Sequence, residues 1–235
     1  MDAGCEVRSM PSEFPRSPKL LKGALVVFAS QKPGPAPTVI VFQYNPEQLS
    51  RSLAHRAAPP DPSSVGGARE DSFRVLGPPV ETINLSVVLN AADQLEQPEQ
   101  NPEVAVNGLH PALAALELLL YPPSTQVLLN RSLAQAGSAQ ICPADLPLTL
   151  LVWGRSRAVP VRLTSFSITE EAFDPRLNPI QAKVDLGMRV LTYMELKEDT
   201  IGFGAYIAYQ AQKEALARMV RPGESAGAIR GLIPL

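Results

Sequence analysis

The sequence predicts a mainly β protein of antiparallel strands with a minor helical part. Three observations carry this. Residues 148–196 read as three strands joined by two turns. In the last of them Ile180, Ala182, Val184, Leu186, Met188, Val190, Met194 and Leu196 recur at every second position, with Gln181, Lys183, Asp185, Arg189 and Glu195 between them. Residues 81–90 alternate in the same way, with Ile83, Leu85, Val87 and Leu89 set against Thr82, Asn84, Ser86 and Asn90. A period of two sends successive side chains to opposite faces, so one face meets a core and the other meets water or a partner. The third observation is the 24 Pro, gathered between these runs, which implies rigid loops around a strand-based core.

In chain order, residues 1–19 carry mixed charge, several Pro and few periodic apolars, and read as an arm that only a partner would order. Residues 22–30 form a first strand, 31–37 its Gly/Pro turn and 38–43 a second strand. Residues 48–56 form a third strand, 57–69 a Pro/Ser/Gly-rich loop, and 71–76 a short piece that continues the sheet edge. Residues 91–107 are polar and acidic and read as a loop. His110-Pro111 then opens a helix whose stripe is Leu113, Leu116, Leu119 and Leu120, and Tyr121-Pro122-Pro123 stops it. Residues 124–147 are a connection without pattern.

The first of the three strands, 148–154, ends at Gly154, a residue suited to positive φ in a turn. The second, 159–168, has Val161 and Leu163 on one face. Residues 201–220 read as a helix ending before Pro222-Gly223. Its first turns hold Phe203, Tyr206, Ile207 and Tyr209, which either pack back onto the sheet or anchor a neighbouring subunit. Residues 223–235 are an apolar-tipped tail. The organisation is thus an arm (1–20), a β-domain (21–200) and a C-terminal helix with a tail (201–235).

Composition narrows the function. The chain has 235 residues, 45% of them apolar, and a formal net charge of -2, which suits a globular fold and gives no general reason to expect nucleic-acid binding. No long apolar run reads as a membrane span, and no basic start precedes an apolar stretch, so synthesis in the cytoplasm is expected. Cys5 and Cys142 lack metal spacing and read as free thiols. His55 and His110 are the only His, with no paired spacing. Gly-x-Ser-x-Gly and phosphate-cradling glycine loops are absent. Glu170 and Glu171 are adjacent, so on a strand they point apart and cannot work as a pair; a solvated turn is their expected place. Met188 and Met194 read as core. No catalytic residue, cofactor or metal ligand is expected, and an enzyme is not.

Two separated blocks carry a resemblance. The first is Phe42-Gln43-Tyr44-Asn45-Pro46-Glu47-Gln48-Leu49. The second holds Trp153-Gly154, Phe166, and the run Phe173-Asp174-Pro175-Arg176-Leu177-Asn178-Pro179-Ile180-Gln181-Ala182. Taken alone, Asn45-Pro46 is a strand-ending corner, because the residue before Pro is pushed out of the helical region. Together and in this order, the blocks resemble the contractile injection system tube protein family over roughly residues 20–200. The residues that match are Phe42, Asn45, Pro46, Leu49, Trp153, Gly154, Phe173, Pro179 and Ala182. Two positions depart. Asn178 stands at or beside the family's turn glycine, where Asn tolerates left-handed geometry. Gln181 stands where the family often has Arg.

The resemblance implies a two-sheet sandwich or distorted barrel with one helix against it. It also implies a structural subunit that forms a homo-hexameric ring in a phage-tail-like particle. Within the family the extra arm, loops and C-terminal helix point to a baseplate tube-adaptor, joining the inner tube protein to the spike or hub and the wedge proteins. The peptidoglycan-binding LysM pattern of some adaptors is missing. The alternatives are the main inner tube subunit or, in another class, a monomeric β-sandwich binding module.

Overall fold

The structure is a computed structural model that describes residues 21–29, 31, 34, 36–56, 75–135 and 146–220. The expected arm, the loop at 57–69, the tail at 223–235, Cys5 and Cys142 lie outside the described residues. Among the described residues there are seven strands: β1 (Ala24–Phe28), β2 (Thr38–Val41), β3 (Leu49–Ala54), β4 (Val80–Asn90), β5 (Leu148–Val152), β6 (Ala158–Phe173) and β7 (Pro179–Val190). All neighbours are antiparallel, in the order β2-β1-β5-β6-β7-β4-β3. The protein is mainly β, as its alternating runs require. The expectation of two packed sheets or a barrel is corrected: there is one sheet, and it is not closed, because the edge strands β2 and β3 do not pair.

The central strands form as their sequences dictate. In β4 the residues Glu81, Ile83, Leu85, Val87 and Leu89 are buried, and in β7 Ala182, Val184, Leu186, Met188 and Val190 are buried while Lys183 and Asp185 face out. Ile83 lies opposite Met188, Leu85 opposite Leu186 and Val87 opposite Val184. These pairs, with Val161 and Leu163 of β6 and Leu151 of β5, make the middle of one core cluster. β6 runs on to Phe173, beyond the expected end at 168, so Glu170 and Glu171 are exposed residues of a strand, not of a turn.

β7 stops at Val190, short of the expected 196. The cause is local. The Glu195 carboxylate accepts from the Thr192 backbone N–H at 3.1 Å and from its hydroxyl at 3.2 Å, while Glu195 N–H donates to Thr192 O at 2.9 Å. This Thr-x-x-Glu box turns the chain. Met194 is therefore 52% exposed and not a core residue, whereas Met188 is fully buried.

The sheet is strongly coiled. Gln43 bonds the end of β4 at Asn90, while the adjacent Phe42 packs on Trp153 at the end of β5. In a flat sheet with this register those two ends lie roughly 40 Å apart, at about 3.3 Å per residue and about 4.8 Å per strand. Twist of consistent hand brings them together, and the sheet wraps the core.

Among the described residues five helices accompany it: α1 (Ala92–Leu95), α2 (Pro102–Asn107), α3 (His110–Glu117), α4 (Ser124–Gln135) and α5 (Ile201–Arg218). α3 and α5 match the two expected helices. α3 buries Leu113 and Leu116 of its stripe, and Leu119 just beyond it is buried too. The expected loop at 91–107 holds α1 and α2 instead. Helices of 4 and 6 residues are too short to display a period. The expected patternless connection holds α4, which buries none of its residues and so has no apolar stripe to betray it.

Leu186 sits at the centre of the β4–β7–β6 packing and is 2% exposed. Leu186→Ala is expected to lower the unfolding free energy by about 2–5 kcal/mol, measured by urea denaturation of the full chain, with the β far-UV signal retained.

Candidate functional site

The first block of the sequence forms a knot at the corner after β2. The Asn45 carboxamide accepts from Gly23 N–H at 2.9 Å and donates to Leu21 O at 2.9 Å, so one side chain ties down the entry to β1. Phe42 N–H donates to Gly23 O at 2.9 Å. The Phe42 ring is buried and lies 6.4 Å from the Trp153 ring, tilted by 51°. Gly23 fits between them because it has no side chain: a Cβ there would stand 2.6 Å from Trp153 and 2.9 Å from Phe42. Gln43 closes the other side. Its amide nitrogen donates to Asn90 O at 2.6 Å, and its amide oxygen accepts from Asn90 N–H at 2.8 Å, so the side chain pairs with the end of β4 as a peptide group would. Pro46 is half-buried, and Leu49 opens β3 against the core cluster.

Trp153 and Gly154 stand at the β5–β6 turn. Trp153 N–H donates to Arg157 O at 2.7 Å, and Gly154 has φ of 67° and open space around it. The corner thus brings Phe42, Asn45, Trp153 and Gly154 to one end of the sheet. Gly23 and Gln43 complete it. Neither was singled out by sequence reasoning, since a lone Gly before a strand and a Gln in a turn carry no signal of their own.

Phe173, Pro179 and Ala182 lie elsewhere, at the β6–β7 turn. Asp174 organises it. Its carboxylate accepts from Arg176 N–H at 2.7 Å, Asn178 N–H at 2.8 Å and the Asn178 side chain at 2.9 Å. The Asn178 bonds, backbone and side chain, hold the Asp174 carboxyl below its usual range. The left-handed residue here is Leu177, with φ of 65°, not Asn178. Asn178 instead spends its amide on Asp174 and on Val106 O at 3.0 Å. Pro179 opens β7, and its carbonyl accepts from Leu109 N–H at 2.8 Å, which ties the turn to α3. Ala182 is fully buried, and Phe173 is half exposed at the tip of β6. Gln181 donates to Glu171 at 2.7 Å, a neutral contact where an Arg would make an ion pair.

The C-terminal aromatics divide. Tyr206 and Tyr209 join the protein's own core, Phe203 is half-buried, and Ile207 is exposed. Thr200 caps α5 by accepting from Phe203 N–H at 3.3 Å, and Gly202 lets the helix approach Leu148 and Leu196, where a Cβ would stand 3.1 Å from each. Further along, a polar knot anchors α5 to the sheet. Glu81, 4% exposed, accepts from Arg51 Nε at 2.8 Å, from Tyr209 Oη at 3.2 Å and from Lys213 Nζ at 3.1 Å. Arg51 also donates to Tyr209 Oη at 2.9 Å, and Lys213 lies 4.0 Å over the Tyr209 ring. Burial alone would raise the Glu81 carboxyl; the Arg51 and Lys213 hydrogen bonds and charges outweigh it and hold it below its ordinary value. Sequence reasoning gave Glu81 no role beyond opening the alternating run, since its partners lie on β3 and α5.

No family model and no curated protein sequence matches the chain. Among the described residues no group of three His, Cys, Asp or Glu is placed to hold a metal ion. No helix there is long and apolar enough to cross a membrane.

Glu81 gives a pH signature. Its folded-state value lies below its unfolded one, so its stabilisation is complete above the ordinary carboxyl range and is lost as pH falls through the lower folded value. Thermal melts from neutral to acid pH are expected to show a falling limb that Glu81→Gln flattens. At neutral pH that variant melts lower than the wild type, because Arg51 and Lys213 lose their shared charge.

Proposed function

We propose that this chain is a structural subunit of a contractile injection system, a baseplate tube-adaptor that assembles as a six-fold ring between the inner tube and the spike or hub. The observation that carries the reading is the corner knot. Phe42 and Trp153, one residue from each of the two blocks behind the family resemblance, lie more than a hundred residues apart in sequence and pack together. The rest of the second block, Phe173, Pro179 and Ala182, shapes the β6–β7 turn instead.

The open sheet adds support. Among the described residues β2 and β3 have no further strand beyond them and stand at opposite sides of the seven strands. Val39 and Val41 of β2 are each 53% exposed, an apolar edge that would invite association unless a neighbour covers it. The outer face of β3, β4, β7 and β6 is polar, with Ser, Thr and Asn beside the charged Lys183, Asp185, Arg189 and Arg162. One row across it is Ser50, Asn84, Gly187 and Ser165. Gly187 leaves room there for the Ser165 hydroxyl, which a Cβ would displace. A polar four-strand face suits the wall of a channel in a closed ring. Inner tube, spike and wedge proteins are the partners in this reading, with assembly in the cytoplasm as part of the particle.

Purified alone, the protein is expected to be monomeric or weakly associated, because an adaptor ring forms on a template. In the assembled particle, electron microscopy is expected to place it in a closed ring coaxial with the tube. Val39→Lys is expected to leave the monomer folded and to block entry into the particle. A density for this subunit away from the tube axis removes the reading.

A further inference from the structure

We propose that the pocket beside the paired arginines of β6 and β7 binds an oxyanion, a carboxylate or phosphate group. Arg162 and Arg189 stand directly opposite each other in the β6–β7 register. Opposed residues on neighbouring antiparallel strands hold their Cβ atoms about 4.5–5.5 Å apart, and like charges there destabilise the sheet. The rest of this face avoids such a clash with neutral Ser, Asn and Thr, as in the adjoining Ser165, Gly187 and Asn84 row. Glu195 answers only one of the two charges. It pairs with Arg189 and also accepts from the Thr192 backbone and hydroxyl. The Arg162 side chain has no ion pair or hydrogen bond among the described residues.

Arg162 and Arg189 both line one pocket of 390 Å³, whose walls include Leu119, Thr149, Glu195 and Leu196. Thr149 is buried, Arg189 is half-buried and Arg162 is exposed, so the pocket is open to solvent on the Arg162 side. Two guanidiniums carried by opposed residues of one pocket suit the oxygens of a carboxylate or a phosphate. Glu195 opposes the incoming charge, but it is already engaged, and the three groups leave one positive charge in excess. The site stands independently of the ring reading, and the failure of either leaves the other untouched.

Thermal melting of the full chain tests this, in chloride, in inorganic phosphate and in acetate at equal ionic strength. In chloride, Arg162→Gln is expected to melt at or above the wild type, because a repulsion is removed. In phosphate or acetate the wild type is expected to gain melting temperature. Arg155→Gln, at an exposed turn residue outside the pocket, gains as much, and Arg162→Gln loses the gain. A gain in phosphate alone identifies a phosphate group; a gain in acetate, with or without phosphate, identifies a site open to carboxylates. The proposal is overturned if neither anion stabilises the wild type. It is overturned equally if Arg162→Gln gains as much as the wild type, which marks a general salt effect, or if Arg162→Gln melts lower in chloride.

Discussion

The fold depends on how residues 42–46 hold a coiled sheet in place. Seven antiparallel strands have no intrinsic reason to stop twisting at one curvature, and here the edges are not sealed by pairing. The corner supplies the missing constraint. Phe42 fixes the end of β5 through Trp153, Gln43 fixes the end of β4 through both backbone groups of Asn90, and Asn45 fixes the entry to β1. Two strands, β6 and β7, separate β5 from β4 in the order of neighbours. A short turn that touches both therefore sets how tightly the sheet rolls, and with it the shape of the enclosed core. Each of these hydrogen bonds contributes only about 0.5–1.5 kcal/mol. Their weight comes from closing long loops of chain at once.

The rest is packed onto that frame. α3 lays Leu113 and Leu116 on the core and is tied to the β6–β7 turn through Pro179. α5 covers another part with Tyr206 and Tyr209, then ends its contact at the Glu81 knot. A buried carboxylate is stable there only because cations from both β3 and α5 reach it. The knot therefore makes the helix position specific as well as stable. The outward face stays polar, with the charged Lys183 and Asp185 exposed among Ser and Asn groups.

Much of the sheet was legible because half-buried strands must alternate. β4 and β7 could be read residue by residue, and Gly154 and Pro111 punctuated the chain as their geometry requires. What escaped notice lacked a period or depended on distant partners. α1 and α2 are too short to show one, and α4 has no buried stripe. The early end of β7 rests on a Thr-x-x-Glu box that interrupts an apparent alternation through Met194 and Leu196. The left-handed position fell on Leu177 because Asp174 and Asn178 bond each other across the turn. At the candidate site Phe42, Asn45 and Trp153 were legible as motifs. Gly23 and Gln43 were not, since their roles exist only once the sheet has coiled.

Hydrogen exchange on a Gln43→Leu variant tests the claim that the corner sets the coil. The account predicts that amide protection falls together in β1–β2 and in β3–β4, the two flanks that the corner joins, while the β6–β7 centre keeps its protection. Loss confined to the Asn90 amide, with both flanks as protected as in the wild type, would show that Gln43 merely caps one strand and would contradict the account.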